Sequence, residues 1–154
     1  MSEELRVPKR QVRVEVLVPG SPPRQVTVFL AEFASRHTGP ERLSDLLNSP
    51  DEFFPALDIA TGSLIFLGRH GIAAARVARE WELGEEPSLG QQHEVEVVLT
   101  DGTSLRGQVS FVLPPERSRL LDYLNDEQPF VRLAEREQVA LINKRHIARV
   151  TKAK

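Results

Sequence analysis

The chain has 154 residues, of which 40% are hydrophobic and 27% charged, and its formal net charge is −2. This composition is typical of a folded globular domain and excludes extended disorder. The small net charge excludes an electrostatic field of the whole molecule that would attract nucleic acid. The chain has no cysteine, which excludes disulfides, thiol catalysis and thiolate zinc sites.

The same sequence blocks occur twice in the same order. The block R-L-x-D-x-L-N spans residues 42–48 and again 119–125, and the blocks at 14–20, 24–30, 53–57 and 64–72 recur at 95–102, 107–113, 129–133 and 139–147. We interpret the pattern as a tandem duplication. It predicts a first repeat at 10–77, a linker at 78–92 and a second repeat at 93–152. Because a unit this small has a marginal core alone, we expect the copies to bury surface against each other, through helices or paired edge strands, or the chain to oligomerise.

In chain order, alternating apolar residues at 12–18 and 26–30, and at 95–99 and 109–113, predict two half-buried strands in each copy. Asp101-Gly102 is typical of a hairpin turn. Leucine spacing at 43–47 and apolar spacing at 120–124 predict an amphipathic helix of two to three turns, ended by a left-handed Asn48 or Asn125. Apolar runs at 53–57 and 64–68, with their counterparts, predict two more strands, and residues 72–75 and 147–150 a fifth. The fold class is therefore mostly β (α+β), each copy β-β-α-β-β with an added last strand.

The segment V-x-V-x-L-x-D-G-x-x-L-x-G-x-V at 95–109 resembles the first motif of the Sm-like family, and VALINKRHIARV at 139–150 resembles the second motif and the end of the Hfq-like members. The resemblance implies a small, bent, five-stranded β-barrel in each copy, and rings assembled by pairing of edge strands. A tandem pair then corresponds to two neighbouring ring subunits. The chain departs from the family in placing its helix between strands two and three.

The resemblance also implies a uridine-binding pair of Lys and His just before an Ile. The matching positions are Arg69 and His70 in copy one and Lys144, Arg145 and His146 in copy two. These side chains could bind phosphate or stack on a base, and the alternative is that they are solvated turn residues. The family's other uridine-site residues have no clear counterpart in the chain.

Phe53 and Phe54 are candidates for a protein interface, because neighbouring strand residues point to opposite faces and one of the two must lie outside the core. The remaining phenylalanines, Phe66 among them, are expected to fill the core.

No nucleophile elbow, metal-binding histidine spacing or phosphate-binding loop occurs, so we expect no enzyme, no cofactor and no metal site. Residues 1–10 lack the apolar core of a signal peptide, and no apolar run reaches the length of a membrane span, which predicts a cytoplasmic protein without a membrane partner. The predicted function is a non-catalytic module for protein–protein interaction or assembly, with a protein partner or a homo-oligomer. The alternatives are an Sm-like RNA-binding protein and a small-ligand or enzymatic role that no motif supports.

Overall fold

The computed structural model describes residues 9–32, 34, 39–83, 90–111 and 119–153. We call residues 9–83 the first half and residues 90–153 the second half. A single turn of 3-10 helix, Arg69–Gly71, follows the fourth strand, and another, Lys144–His146, follows the ninth. The remaining elements are β1 (Lys9–Leu17), β2 (Arg24–Ala31), α1 (Leu43–Leu47), β3 (Phe53–Asp58), β4 (Leu64–Gly68), β5 (Ala74–Ala78), α2 (Arg79–Glu82), β6 (Gln91–Leu99), β7 (Ser104–Phe111), α3 (Leu120–Leu124), β8 (Phe130–Ala134), β9 (Gln138–Asn143) and β10 (Ile147–Lys152).

The strands form one antiparallel sheet in the order β10-β6-β7-β8-β9-β5-β1-β2-β3-β4. Within it the first half contributes the run β5-β1-β2-β3-β4, and the second half contributes β10-β6-β7-β8-β9. In each run the last strand of the half lies beside the first, and the others follow in chain order. The two runs therefore have the same strand order, and they meet where β5 pairs with β9.

The mostly β fold class is confirmed, but two separate barrel units are not what the chain forms. The ten strands make a single open sheet, because β5 pairs with β9 over Ala74 to Ala78 rather than ending as a free edge. Unpaired edge strands expose backbone donors and acceptors, and pairing the halves satisfies one edge from each. The predicted linker 78–92 contains α2 and the first residues of β6, and residues 84–89 and the predicted strand residues 112–113 lie outside the described residues.

The predicted alternation is present in the strands. Val12, Val14 and Val16 are buried, and the hairpin between β6 and β7 turns at Gly102 with a φ of 93°. A positive φ is easy for glycine, which explains why that residue follows Asp101 in the turn.

The helices differ from the prediction in length and in their ends. α1 and α3 each have five residues, barely more than one turn, instead of the predicted two to three turns. In each helix the third residue is an aspartate that caps the start: the backbone N–H of Arg42 donates to Asp45 at 2.8 Å, and that of Arg119 donates to Asp122 at 3.2 Å. Asn48 has a φ of −91°, so it is not left-handed as predicted. No described helix is long and apolar enough to cross a membrane.

Two apolar clusters form the core, and each takes residues from both halves. The cluster around β1 and β2 includes Phe130, Val139 and Leu141 of the second half. The cluster around β6 and β7 includes Ala73 and Ala74 of the first half. Neither half therefore completes its core from its own residues.

Candidate interaction surfaces

Both faces of β9 are buried, one in the core of the first half and the other in the core of the second half. Ala140 and Ile142 pack in the core of the second half, whereas Val139 and Leu141 pack in the core of the first half. Alternate residues of a strand point to opposite sides, so a strand between two cores reads as a continuous apolar run. Leu141 lies opposite Ala75 of β5. We call this contact between β5 and β9, with the side chains around it, the junction.

A buried carboxylate ties α1, α2 and β8 together at the junction. Glu82 accepts hydrogen bonds from the backbone N–H of Ser44 at 3.1 Å and from the hydroxyl of Ser44 at 2.5 Å. The Nη2 of Arg132 in the second half lies 2.5 Å from the same carboxylate and supplies its counter-charge. A buried charge is tolerated only when it is paired and hydrogen-bonded, and Glu82 meets both conditions.

Asn48 also spans the junction. Its Oδ1 accepts a hydrogen bond of 2.9 Å from the backbone N–H of Phe130, the first residue of β8. The asparagine of the recurring R-L-x-D-x-L-N block therefore ends α1 and also links one half to the other.

Arg76 forms the ion pairs on the opposite side of the junction. Its Nε lies 2.8 Å from Glu135 of the second half, and its Nη1 lies 3.2 Å from Glu15 of β1. Burial alone lowers the pKa of the Arg76 guanidinium, but hydrogen bonds and attraction to Glu135 and Glu15 outweigh it and raise the pKa above its ordinary value. Arg76 therefore stays charged and links β5 to β1 and to the turn between β8 and β9.

The five candidate RNA-binding residues lie on the two 3-10 turns, and the junction brings these turns together. The ring Nε2 of His146 lies 2.8 Å from the carbonyl oxygen of His70. Nδ2 of Asn143, just before the second turn, donates to the carbonyl oxygen of Ile72 at 3.0 Å. Residues that are far apart in the sequence thus form one basic cluster at one end of the junction.

Within this cluster the charged groups have different partners. The guanidinium of Arg69 donates to the carbonyl oxygen of Ser49, and it forms no ion pair with a carboxylate of the described residues. The Nζ of Lys144 lies 2.7 Å from a carboxylate oxygen of Asp126, so its charge is balanced. Arg145 and His70 are exposed. Arg69 and Arg145 are therefore the cations of the cluster best placed to meet an anion.

A second exposed feature lies at the β4 edge of the sheet. Phe53 is 63%, Leu64 56% and Phe66 67% exposed. Phe53 pairs with Gly68, and Phe66 pairs with Pro55, so all these residues project from the same face of β3 and β4. We call Phe53, Leu64 and Phe66 the edge patch. Apolar side chains grouped beside the outer edge of a sheet are typical of an interaction surface.

The structure separates the two candidate interface phenylalanines. Phe53 is exposed in the edge patch, whereas Phe54 is buried in the core of the first half and cannot contact a partner. Phe66 was expected in the core and is exposed instead, because none of the described strands lies beyond β4. Leu64, Phe66, Asn48 and Glu82 were not predicted as site residues, and only the apolar character of β4 on both faces signalled the first two.

Among the described residues, no three His, Asp or Glu side chains are grouped so that they could hold a metal ion. Comparisons of the chain with protein-family models, with curated proteins and with solved structures found no match. The candidate surfaces therefore rest on the geometry of the chain itself.

Proposed function

We propose that the chain is a non-catalytic module that binds protein through the free edge of its sheet. The observation that carries the proposal is the edge patch: three large apolar side chains stand exposed on one face of β3 and β4, and no described strand pairs with the outer edge of β4. A partner strand laid there gains backbone hydrogen bonds from the edge and apolar contacts from the patch. Aromatic side chains of this kind supply much of the affinity in protein interfaces.

The proposal is tested by placing a photo-activated cross-linking residue at position 66 of the full chain, in cells that express it. The matched control carries the same residue at Ile59, which is 38% exposed and lies outside the edge patch. We expect position 66 to cross-link to a defined set of residues on a protein, identified by mass spectrometry, and position 59 not to do so. Equal and diffuse cross-linking at both positions would show that the patch binds no protein.

We also propose, as a finer fold assignment, that each half is one Sm-like unit that has opened into the shared sheet. Three features support it: five strands in each half, the same strand order in both, and edge-to-edge pairing of the halves. In the family that the sequence resembles, assembly uses edge pairing of the same kind.

The second candidate function is RNA binding by the basic cluster of the two turns. The specific observation in its favour is that Arg69 and Arg145, from turns in different halves, reach the same end of the junction. If the cluster binds RNA, log affinity falls linearly with log salt concentration, and Arg145→Glu weakens binding. Arg13→Glu, an exposed site on β1, makes the same charge change elsewhere and is the control. Failure of the chain to retain RNA at low salt removes this candidate.

A further inference from the structure

The hydrogen bonds between β3 and β4 show which backbone groups of β4 face the outer edge of the sheet. The backbone N–H of Arg69, which follows β4, donates to the carbonyl oxygen of Glu52 at 2.8 Å. Every second residue of an antiparallel strand directs both backbone groups to the same neighbour, so the residues that alternate with Arg69 face β3. Gly68, Phe66 and Leu64 therefore direct their backbone groups to the outer edge, where no described strand pairs with them.

The edge patch supplies three apolar contacts along the same edge. The ring of Phe53 lies over Gly68, because a Cβ at Gly68 would be 3.2 Å from Cε1 of that ring. The ring thus covers the edge strand at a position that has no side chain of its own, and Phe66 and Leu64 follow at every second residue. Residues two apart in a strand project from one face, so an added strand meets the patch with every second side chain.

The fourth strand of the second half, β9, shows what kind of strand lies beside such an edge. β5 is antiparallel to it, with Ala75 opposite Leu141 and Val77 opposite Val139. At every second position β5 therefore presents an apolar side chain to an apolar side chain of β9. Every described pairing in the sheet is antiparallel as well, which favours the same direction for a strand added to β4.

The two ends of the β4 edge differ in charge. Residues 59–63, before Leu64, are uncharged. Gly68 at the other end is followed directly by Arg69 and His70 of the basic cluster. Arg69 forms no ion pair with a carboxylate of the described residues, and this includes Glu52 opposite it. A segment that pairs with β4 therefore meets uncompensated positive charge at one end only.

We propose that the β4 edge binds an extended segment of another protein, antiparallel to β4, in which acidic residues precede large apolar residues at every second position. This inference rests on the proposed function, because it names the chemistry of the partner at the same edge. In the antiparallel direction the segment begins beside the basic cluster, so its acidic residues meet Arg69. The apolar residues that follow lie opposite Gly68, Phe66 and Leu64.

The other outer strand of the chain does not have this chemistry. β10 follows the turn of Lys144, Arg145 and His146, and it contains Arg149 and Lys152 but no acidic residue. Antiparallel to β4, it would bring these cations to Arg69. Like charges brought together oppose binding, so the charge at this end favours a different protein over a second copy of the chain.

The test measures binding of a fluorescent peptide, Glu-Glu-Phe-Thr-Val-Thr-Val-Thr with blocked ends, to the full chain by fluorescence anisotropy at low salt. In the proposed register its phenylalanine lies opposite Gly68 and its first valine opposite Phe66. We expect Phe66→Ser, at an exposed site, to weaken binding at least about tenfold. Ile59→Ser, at an exposed site outside the edge patch, should leave binding unchanged.

Exchange of charges tests the direction of the segment. A peptide that begins Lys-Lys instead of Glu-Glu should bind the native chain about fivefold more weakly, and added salt should reduce the difference. The Arg69→Glu chain should reverse the order and prefer the Lys-Lys peptide, whereas Arg13→Glu, an exposed site on β1, should keep the native order. A general loss of structure would weaken both peptides alike and would not reverse the order.

Proline in the peptide tests the backbone pairing. The residue opposite Phe66 directs its N–H at β4, whereas the N–H of the threonine after it points away. Proline lacks an N–H, so it removes a hydrogen bond at the first position and none at the second. The peptide with proline in place of the first valine should therefore bind at least about fivefold more weakly than the peptide with proline in place of that threonine.

The inference is overturned if the native chain does not bind the peptide, if Arg69→Glu does not reverse the charge preference, or if the two proline peptides bind equally. A cross-link from position 66 to a second copy of the chain would also overturn it. A cross-link to another protein, at a segment without the acidic and alternating apolar residues, would overturn the inference and leave the proposed function standing.

Discussion

Leu141→Ala tests whether the two halves share one core. Leu141 belongs to the second half by sequence but packs in the core of the first, with no exposed surface. The substitution removes three carbon atoms from a dry site, which costs about 2.4 kcal/mol in transfer free energy at about 0.8 kcal/mol per methylene group. β9 is hydrogen-bonded to a strand on each side, so the site cannot collapse fully, and the remaining cavity adds about 1 kcal/mol. We expect a total loss of about 3 kcal/mol in the free energy of unfolding.

The assay is urea unfolding followed by the fluorescence of Trp81, the single tryptophan, which packs against the core of the first half. Circular dichroism reports on the whole sheet in the same samples. With a slope of about 2 kcal/mol per molar urea, the midpoint should fall by about 1.5 M in both signals. Val18→Ala, at a site 37% exposed, should change stability by no more than about 0.5 kcal/mol. A tryptophan transition that does not move, or a loss below about 1 kcal/mol, would show that the halves fold as independent units.

Three further predictions concern other parts of the junction and the sheet. Glu82→Ala should cost about 3 kcal/mol in urea unfolding, because it leaves Arg132 beside an empty site, and the double variant with Arg132→Ala should cost less than the sum of the two single changes. Burial raises the pKa of Tyr123, the only tyrosine, so its contribution to stability is complete below about pH 10 and is lost as pH rises through the higher folded-state pKa. Tyrosinate absorbance should therefore appear at higher pH in the folded chain than in urea, and Tyr123→Phe should flatten the alkaline fall in stability; identical titrations would contradict this. Gly107→Ala should destabilise the chain by about 1–3 kcal/mol, since a Cβ there would lie 2.4 Å from the carbonyl oxygen of Ala134, whereas Gly71→Ala, with nothing within 4 Å, should be nearly neutral in thermal unfolding.

Local patterns in the sequence predicted the local structure well. Alternating valines predicted β1 and β6, and Asp101-Gly102 predicted the hairpin, because side-chain direction and turn geometry depend on near neighbours. The recurring R-L-x-D-x-L-N block predicted both short helices. The same local reasoning placed Asn48 at the end of α1, where the structure has it, but its left-handed conformation was wrong, and the contact of its side chain with Phe130 in the other half was not predicted.

The candidate sites also combine residues that the sequence predicted with an arrangement that only strand pairing decides. The two basic turns were found from the sequence, but their meeting at one end of the junction depends on the pairing of β5 with β9. Phe66 was assigned to the core because its strand is apolar, yet strand character alone does not say whether another strand lies beyond it.

Phe53 and Phe130 show most directly what the sequence determines and what only the tertiary structure decides. They occupy matching places in the two halves, and the sequence by itself determined that each begins a short apolar strand after a helix. The tertiary structure decided that Phe130 is 3% exposed and Phe53 is 63% exposed. The physical reason is that burial of an outward face requires a second sheet edge to pair beside it, and within one chain that pairing is available to β9 and not to β4.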